Sequence, residues 1–418
     1  MKKILQKNFA IIFFLGIASG LPIVLITTTL KALLVDKGFD LKTIGFFSLV
    51  TMPYTFKFFF APIIDSFGIP ILTKLFGQRR SWIILTQTFL VIFISTLGIA
   101  GVIGSLSAIG TFSLLLGFAS ASQDLVIDAY RIELINREEL IKKEDQGLVA
   151  SFYVYGYRIG MLISGAGALI LAEIMSWDAV YFIMAGFMAS FLVTTLIADD
   201  IEKNWKQKKY SFLSWLGESV INPFKDFAKH SKWMMILSFI ICFKLSDVFA
   251  GNLTLPFLLE IGFSKIEYAS IVKTFGLFAT LFGVFAGGFL VKKFGLIKSL
   301  WIAALAQMLS NLAFSYLSTI GHNSETLYFV IFIENFSGGI GDSVFVAYLS
   351  SLCSIAFSAT QYALLSSSAT LARSLFSSSA GIFATALGWY NFFIFSTLLA
   401  IPGLIFLLLL TKNKKQLS

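Results

Sequence analysis

The sequence predicts an all-α polytopic membrane protein: twelve transmembrane helices arranged as two six-helix repeats. Three observations carry that prediction. Apolar stretches of membrane-spanning length recur from end to end, Lys and Arg alternate between successive loops, and the two halves share short strings in the same order. Of 418 residues, 57 % are hydrophobic and only 13 % are charged. A spanning helix needs about 20 apolar residues to cross the hydrocarbon layer, and the stretches here have that length. Expected spans are 9–30, 44–65, 82–103, 105–128, 147–172, 177–198, 233–256, 267–291, 297–319, 326–348, 361–385 and 389–411.

Taken in order, the elements explain their own oddities. The first span contains Gly16, Gly20 and Pro22, and the second contains Pro53 and Pro62. These residues break soluble helices but are tolerated where neighbouring helices re-satisfy the backbone. The N-terminal MKKILQKN precedes an apolar run without a small-residue cleavage pattern, and further spans follow, so an uncleaved first helix is expected. Trp82, Trp177, Trp233, Trp301 and Trp389 each open a predicted span, where an indole prefers the interface. The spans divide six and six about a polar stretch. The expected organisation is an N-terminal bundle (1–198), a central loop (199–232) and a C-terminal bundle (233–418). Within that loop Phe212, Trp215, Leu216, Phe224 and Phe227 suit a helix lying on the cytoplasmic leaflet.

Charge fixes the orientation, because cytoplasmic loops retain Lys and Arg. With the N-terminus inside, one side carries 23 of the 32 basic residues, the other side 4 (Lys31, Lys37, Lys42 and Lys265), and the spans 5. Both termini are therefore expected in the cytoplasm of a bacterial cell, the protein sitting in the inner membrane as a monomer in the lipid bilayer. The net charge of +9 is topology and gives no reason to expect nucleic acid as a partner. Cys242 and Cys353 lie in distant segments and form neither a disulfide framework nor a metal site. The only histidines, His230 and His322, fall in loops on opposite sides, and no nucleophile motif is visible. An enzyme is not expected, nor is a cofactor.

The halves resemble each other in order. DLVIDAYR (Asp124 to Arg131) aligns with DSVFVAYL (Asp342 to Leu349). Further along, Gln146, Ser151 and Arg158 pair with Gln361, Ser366 and Arg373, and a Gly-Phe turn follows the first span of each half (Gly38-Phe39 and Gly262-Phe263). A 6 + 6 duplication about a cytoplasmic loop is the plan of the major facilitator superfamily, whose halves rock about a midplane site. Asp65, followed by Gly77-Gln78-Arg79-Arg80, is similar to that superfamily's loop motif. The resemblance implies a cytoplasmic charge latch of Asp65, Arg79 and Arg80.

Ionisable residues at bilayer depth cost several kcal/mol unless paired or wetted. Here they are Lys57, Asp124, Asp128, Arg158, Lys244, Asp247, Lys273, Glu334, Asp342 and Arg373. Asp124 and Asp128 are four apart and share one helical face. Two carboxylates there repel each other and burial penalises both charges, so a proton taken up by one relieves both costs. Proton coupling is placed on this pair. By the half-repeat Asp128 and Arg131 meet Val346 and Leu349, and this asymmetry favours a specialised role. The same two residues also fit a simple end-of-helix ion pair. Arg158 and Arg373 fit neutralisation of Asp124 and Asp342, and Lys244 with Asp247 fits a local pair. Lys57 has no acidic partner on its own helix but Asp65, eight residues on, which favours a ligand role, and Glu334 fits either reading. Gly156 and Gly160 form a small-xxx-small pair that fits helix packing.

The strings SASQDLVIDAYRIE (120–133) and GYRIGMLISGAGAL (156–169) resemble the AmpG muropeptide permease family. TIGFFSLVTMPYTFKFFFAPIID (43–65), QRRSWIILTQ (78–87) and INPFKDF (221–227) also match, as does FVAYLSSLC followed by ATQYALLSS. The resemblance implies a proton-driven inner-membrane importer. Its small-molecule glycopeptide substrate is N-acetylglucosaminyl-1,6-anhydro-N-acetylmuramic acid with or without peptide, used in peptidoglycan recycling. It places the family's span-4 aspartates on Asp124 and Asp128 and its span-5 arginine on Arg158. Candidates for substrate binding are Lys57, Gln123, Arg158, Lys244, Asp247, Asp342 and Arg373, whose cations suit cargo carboxylates. The alternative is a carrier of a different anionic metabolite, such as an acyl-CoA or a sugar conjugate.

Overall fold

A computed structural model describes residues 2–135, 145–199, 211–230, 232–251, 253–377 and 379–412. Among them the secondary structure is helical throughout, without strands. Among the described residues ten helices are long and apolar enough to cross a membrane. They are α1 (Gln6–Asp36), α3 (Gln78–Ile103), α4 (Leu106–Ile135), α5 (Gln146–Ala172), α6 (Trp177–Ile197), α7 (Trp233–Glu260), α8 (Ser270–Phe294), α9 (Leu296–Ile320), α10 (Ser324–Ser351) and α12 (Ala380–Thr411).

Two of the twelve expected spans take another form. The expected 44–65 span, here α2 (41–66), is a chain of short helical pieces from Leu41–Phe46 to Ala61–Ser66. Pro53 and Pro62 open two of those pieces, since proline cannot donate inside a continuous ladder. The expected 361–385 span is α11 (Ser358–Ser377), a serine-rich helix of low apolarity. The boundary expected between 385 and 389 survives inside α12 as Gly388, which breaks the helical geometry at φ 71°, ψ 160°.

Packing divides the chain into two compact units. Unit 1 comprises Met1–Lys143, Phe152–Lys225 and Cys353–Ser367. Unit 2 comprises Glu144–Ser151, Asp226–Leu352 and Ser368–Ser418. Each unit therefore includes a short segment from the other half of the sequence.

In unit 1, α1 and α5 meet through glycine on both sides. A Cβ at Gly16 or Gly20 would collide with the carbonyl oxygens of Tyr153 and Tyr157, and one at Gly156 or Gly160 with those of Phe13 and Ile17. The small-xxx-small spacing thus allows backbone to touch backbone, which is how helices gain contact energy where lipid and side chains are equally apolar. Around this crossing Leu21, Leu25, Leu30, Leu97, Leu116 and Tyr181 form a core.

Unit 2 repeats the device with α8 and α10. Gly283 lies against the carbonyl of Phe336, and Gly339 against that of Thr280. The opposite side of α8 carries Phe278, Phe282, Phe285 and Phe289, each more than half exposed. At this helical spacing the stripe is a lipid-facing surface. Phe257, Phe314, Phe392 and Phe393 fill the unit's core, with Phe314 and Phe393 stacked at 5.1 Å.

The duplication is visible in the backbone. Gly38 (φ 75°) and Gly262 (φ 100°) end α1 and α7 in the same left-handed cap. Phe39 N–H donates to the Leu34 carbonyl (3.1 Å), and Phe263 N–H to that of Leu258 (2.9 Å). Both follow the paired pattern by which a helix satisfies its last carbonyls, and a side chain at either glycine would be strained. Positive φ recurs in matching pairs at the start and end of α3 and α9: Gly77 with Gly295, and Gly104 with Gly321.

Two features flank the bundle. Before α8, Ser264 and Glu267 form a reciprocal cap: Glu267 Oε2 accepts from Ser264 N–H (2.8 Å), while Ser264 Oγ accepts from Glu267 N–H (3.1 Å). The linker is helical from Phe212 to Ala228. Of its apolar set, Trp215 packs on Phe67 at 6.1 Å, Phe227 is buried and Phe224 is exposed. The side chains of Phe212 and Leu216, and residues 200–210, lie outside the described residues.

Candidate functional site

Two lysines stand where helices are interrupted. In α2, Phe56 leaves helical geometry (φ −98°, ψ 12°) and Lys57–Phe59 form a single tighter turn. In α7, Lys244 does the same (φ −103°, ψ 5°) before the helix resumes at Leu245. Interrupted helices free backbone groups and mark binding sites in membrane bundles.

In unit 1 the polar residues converge on α4. Gln123, Asp124, Asp128 and Arg131 are all buried, as is Lys57. Arg131 Nη2 donates to Asp128 Oδ1 at 3.0 Å, one turn away on the same helix. The guanidinium is held between aromatic faces, 4.8 Å from the Tyr153 centroid and 5.4 Å from that of Tyr362. Lys57 Nζ lies 5.8 Å from the same Tyr362 ring and is within electrostatic reach of both aspartates. The expected Asp128–Arg131 ion pair is thus present near the end of α4, and it is buried and ring-flanked rather than exposed.

Asp124 differs from Asp128. It forms no ion pair among the described residues, and its Oδ1 is buried without a hydrogen-bond partner among them. Tyr54 and Tyr157 lie within electrostatic reach of it, and the Tyr54 hydroxyl donates to Ser120 Oγ at 2.6 Å. Gln123 Nε2 donates to the Ala18 carbonyl at 2.8 Å, tying α4 to α1. Arg158 is half-buried on α5 beside Tyr157.

In unit 2, Lys244 Nζ lies 2.6 Å from Asp342 Oδ1 on α10 and 3.8 Å from Asp247 Oδ2 on its own helix. The cross-helix pair is the tighter one, so the local pairing is secondary. The Arg373 side chain lies outside the described residues.

A third cluster forms at the far end of α4. Arg79 Nη2 reaches Asp65 Oδ1 at 2.8 Å and Glu133 Oε1 at 2.6 Å, and donates to Ser358 Oγ at 3.1 Å. Ser358 Oγ donates in turn to Glu133 Oε1 at 2.6 Å. Asp65 Oδ2 accepts from the backbone N–H (2.8 Å) and hydroxyl (2.7 Å) of Thr360. An acidic side chain here satisfies the orphan donors that open α11. Arg80 stands apart from this cluster. Its Nε donates to the Thr195 carbonyl at 3.1 Å and its Nη2 to the Leu196 carbonyl at 2.5 Å, capping the end of α6.

Sequence reasoning puts Asp124 and Asp128 on one face and singles out Lys57 separately. It is the structure that brings the three together, along with Tyr54, Tyr153, Tyr157 and Tyr362, which the sequence reading passes over, as it does Glu133, Ser358 and Thr360. Tyr153 and Tyr157 repeat the four-residue spacing of the aspartates on the next helix, a signal that was available. Tyr362 and Ser358 join α4 from more than 200 residues away, for which no local pattern exists.

Comparison with known proteins settles the family. The Major Facilitator Superfamily profile matches residues 10–321 and 237–418. The chain belongs to that superfamily. A Rickettsia felis protein named AmpG 4 is 40 % identical over 96 % of both chains. The anhydromuropeptide permease of Escherichia coli K12 is 38 % identical over 96 % of this chain and 79 % of its own length, which places the chain among the AmpG permeases. Two solved structures share the fold at low identity. The human organic anion transporter MFSD10 has TM-score 0.70 at 14 % identity, over 96 % of this chain and 99 % of its own. The proton:xylose symporter XylE has TM-score 0.66 at 13 % identity, over 99 % and 96 %. This major facilitator protein is a multi-pass membrane transporter of a small molecule and not an enzyme.

Proposed function

We propose that the chain is a proton-coupled importer of anhydromuropeptides in a bacterial inner membrane, moving the disaccharide with or without its peptide toward the cytoplasm, where both termini lie. The observation that supports this reading best is the near full-length similarity to the Escherichia coli anhydromuropeptide permease. The unit 1 site is compatible with it. A cargo bearing carboxylates finds Lys57 and Arg131 behind aromatic rings, and of the two aspartates on α4 Asp124 is the one without an ion pair among the described residues. A proton on Asp124 removes a buried charge that no ion pair holds among the described residues, whereas a proton on Asp128 dissolves a buried pair. Asp124 is therefore the readier proton carrier, and Asp128 holds Arg131 in place until cargo competes for it.

The test is uptake of labelled anhydromuropeptide into vesicles, with and without an uncoupler. Uncoupler-sensitive accumulation is the expected result, and Asp124→Asn removes its dependence on the proton gradient. Asp128→Asn with wild-type gradient dependence would exclude Asp128 from coupling. No uptake by inserted, folded protein would turn the assignment to a different anionic metabolite, such as an acyl-CoA or a sugar conjugate.

A further inference from the structure

Unit 2 contains a carboxyl that the site described above does not use. Glu334 lies ten residues beyond Ser324, the first residue of α10. At about 1.5 Å per residue that is about 15 Å of helix, half of a hydrocarbon core of about 30 Å. Its Oε2 accepts from Asn335 Nδ2 at 2.7 Å. The amide is itself fixed: Nδ2 also donates to the Ile331 carbonyl (3.1 Å), and Oδ1 accepts from Thr280 Oγ1 of α8 (3.0 Å). Gly276 leaves the room that the Asn335 side chain occupies.

No ion pair joins Glu334 to a cation among the described residues. The charged groups facing it are Asp247 and Lys244 from α7 and Lys273 from α8, and α9 carries none beyond Lys298 in its first turn. Lys244 is engaged by Asp342, and Lys273 lies over the Tyr268 ring at 5.3 Å. Helix packing does not require an acid here. In the ungapped register that matches Asp342 to Asp124, Glu334 falls on Leu116, a fully buried apolar residue of α4. Its one hydrogen bond among the described residues comes from a neutral amide, so a carboxylate here depends on Lys244 and Lys273, and where they are drawn away the protonated acid avoids a cost of several kcal/mol.

We propose that Glu334 is a second proton-carrying carboxyl of the transport cycle, located in unit 2 and separate from Asp124 and Asp128. An anionic cargo that draws Lys244 or Lys273 to itself leaves Glu334 facing Asp247 and keeps the proton on the acid. When the cargo departs the lysines return and the carboxylate is again tolerated. The O–H bond forms on the side where cargo binds and breaks on the side where it leaves, with no other group altered. Anion and proton therefore favour each other's binding, a coupling that is reciprocal by linkage. A metal ion does not fit equally well, because an amide N–H faces the carboxyl and no group of three metal-ligating side chains occurs among the described residues.

The proposal rests on the anionic-cargo reading only for its link to transport, and its test begins without cargo. Infrared difference spectra of the full chain in lipid vesicles are recorded across the neutral pH range. Wild type is expected to show protonated-carboxyl C=O bands, with one component lost in Glu334→Gln and kept in Asp124→Asn. Glu325→Gln, at an exposed position of the same helix, serves as the control and is expected to overlay wild type. Anhydromuropeptide is then expected to strengthen the Glu334 component. A Glu334→Gln spectrum that overlays wild type overturns the proposal, even where uptake is normal. If Glu334→Gln does not fold, Glu334→Asp decides: a shifted carboxyl component supports the assignment and an unshifted spectrum overturns it. Failure of wild-type uptake with the component present would sink the muropeptide reading and leave the proton site standing.

Discussion

Asp124 and Asp128 are one helical turn apart, yet their surroundings assign them different work. Asp128 holds Arg131 at 3.0 Å inside a buried sandwich of rings, and removing one member of such a pair costs about 3–5 kcal/mol. Asp124 has no comparable partner among the described residues. Asp128→Asn is therefore expected to lower thermal stability in detergent by a few kcal/mol, whereas Asp124→Asn leaves it near wild type. Melting curves of the two variants check this independently of transport. Their spacing made the pair legible in the sequence, and so was the pairing of Asp128 with Arg131; the ring shell around that pair was not, because Tyr362 reaches Arg131 through tertiary packing alone. A second residue-scale expectation concerns Glu267, outside the spans. The Ser264 backbone N–H and hydroxyl, with His322 adding to them, hold its carboxyl down at about 2. An unfolded glutamate titrates near 4.3, so the cap contributes fully above that value and is lost as pH falls toward 2. The difference in melting temperature between wild type and Glu267→Gln should be present at neutral pH and close on acidification.

At the scale of helices, glycine placement makes the sharpest prediction. Gly160 faces the Ile17 carbonyl at the α1–α5 crossing, while Gly186 on α6 has nothing within reach of an added Cβ. Gly160→Val should cost at least about 1–3 kcal/mol, as overpacking does, and Gly186→Val much less; detergent melting temperatures separate the two. Most helices were legible from the sequence because apolar length suffices to define them, and α3, α6 and α9 begin or end within a few residues of expectation. The exceptions share a cause. Pro53 and Pro62 divide α2, and serines lower the apolarity of α11. In both, the polar or breaking residues fall where the site clusters form. Local hydropathy reports the solvent a helix meets, whereas these segments are shaped by their neighbours.

For the whole molecule, the 23-to-4 distribution of basic residues predicts that both termini lie in the cytoplasm. A fluorescent-protein fusion after Ser418 should therefore fluoresce, and an alkaline-phosphatase fusion there should be inactive; the reverse pattern would invert the topology. The two-fold plan was legible from matched strings and reappears as matched left-handed glycines. What no repeat analysis could show is that Cys353–Ser367 packs within unit 1. That segment brings Ser358 to Arg79 and Glu133, and Thr360 to Asp65. A ribosome delivers it only after most of unit 2 has been made. Until then Arg79, Asp65 and Glu133 wait in a half-built bundle without the hydroxyls and amide that complete their shell. Unit 1, though begun first, thus cannot be finished until most of unit 2 has been made, and a chain arrested before Ser358 would carry an incomplete polar cluster exposed to whatever quality control surveys the membrane.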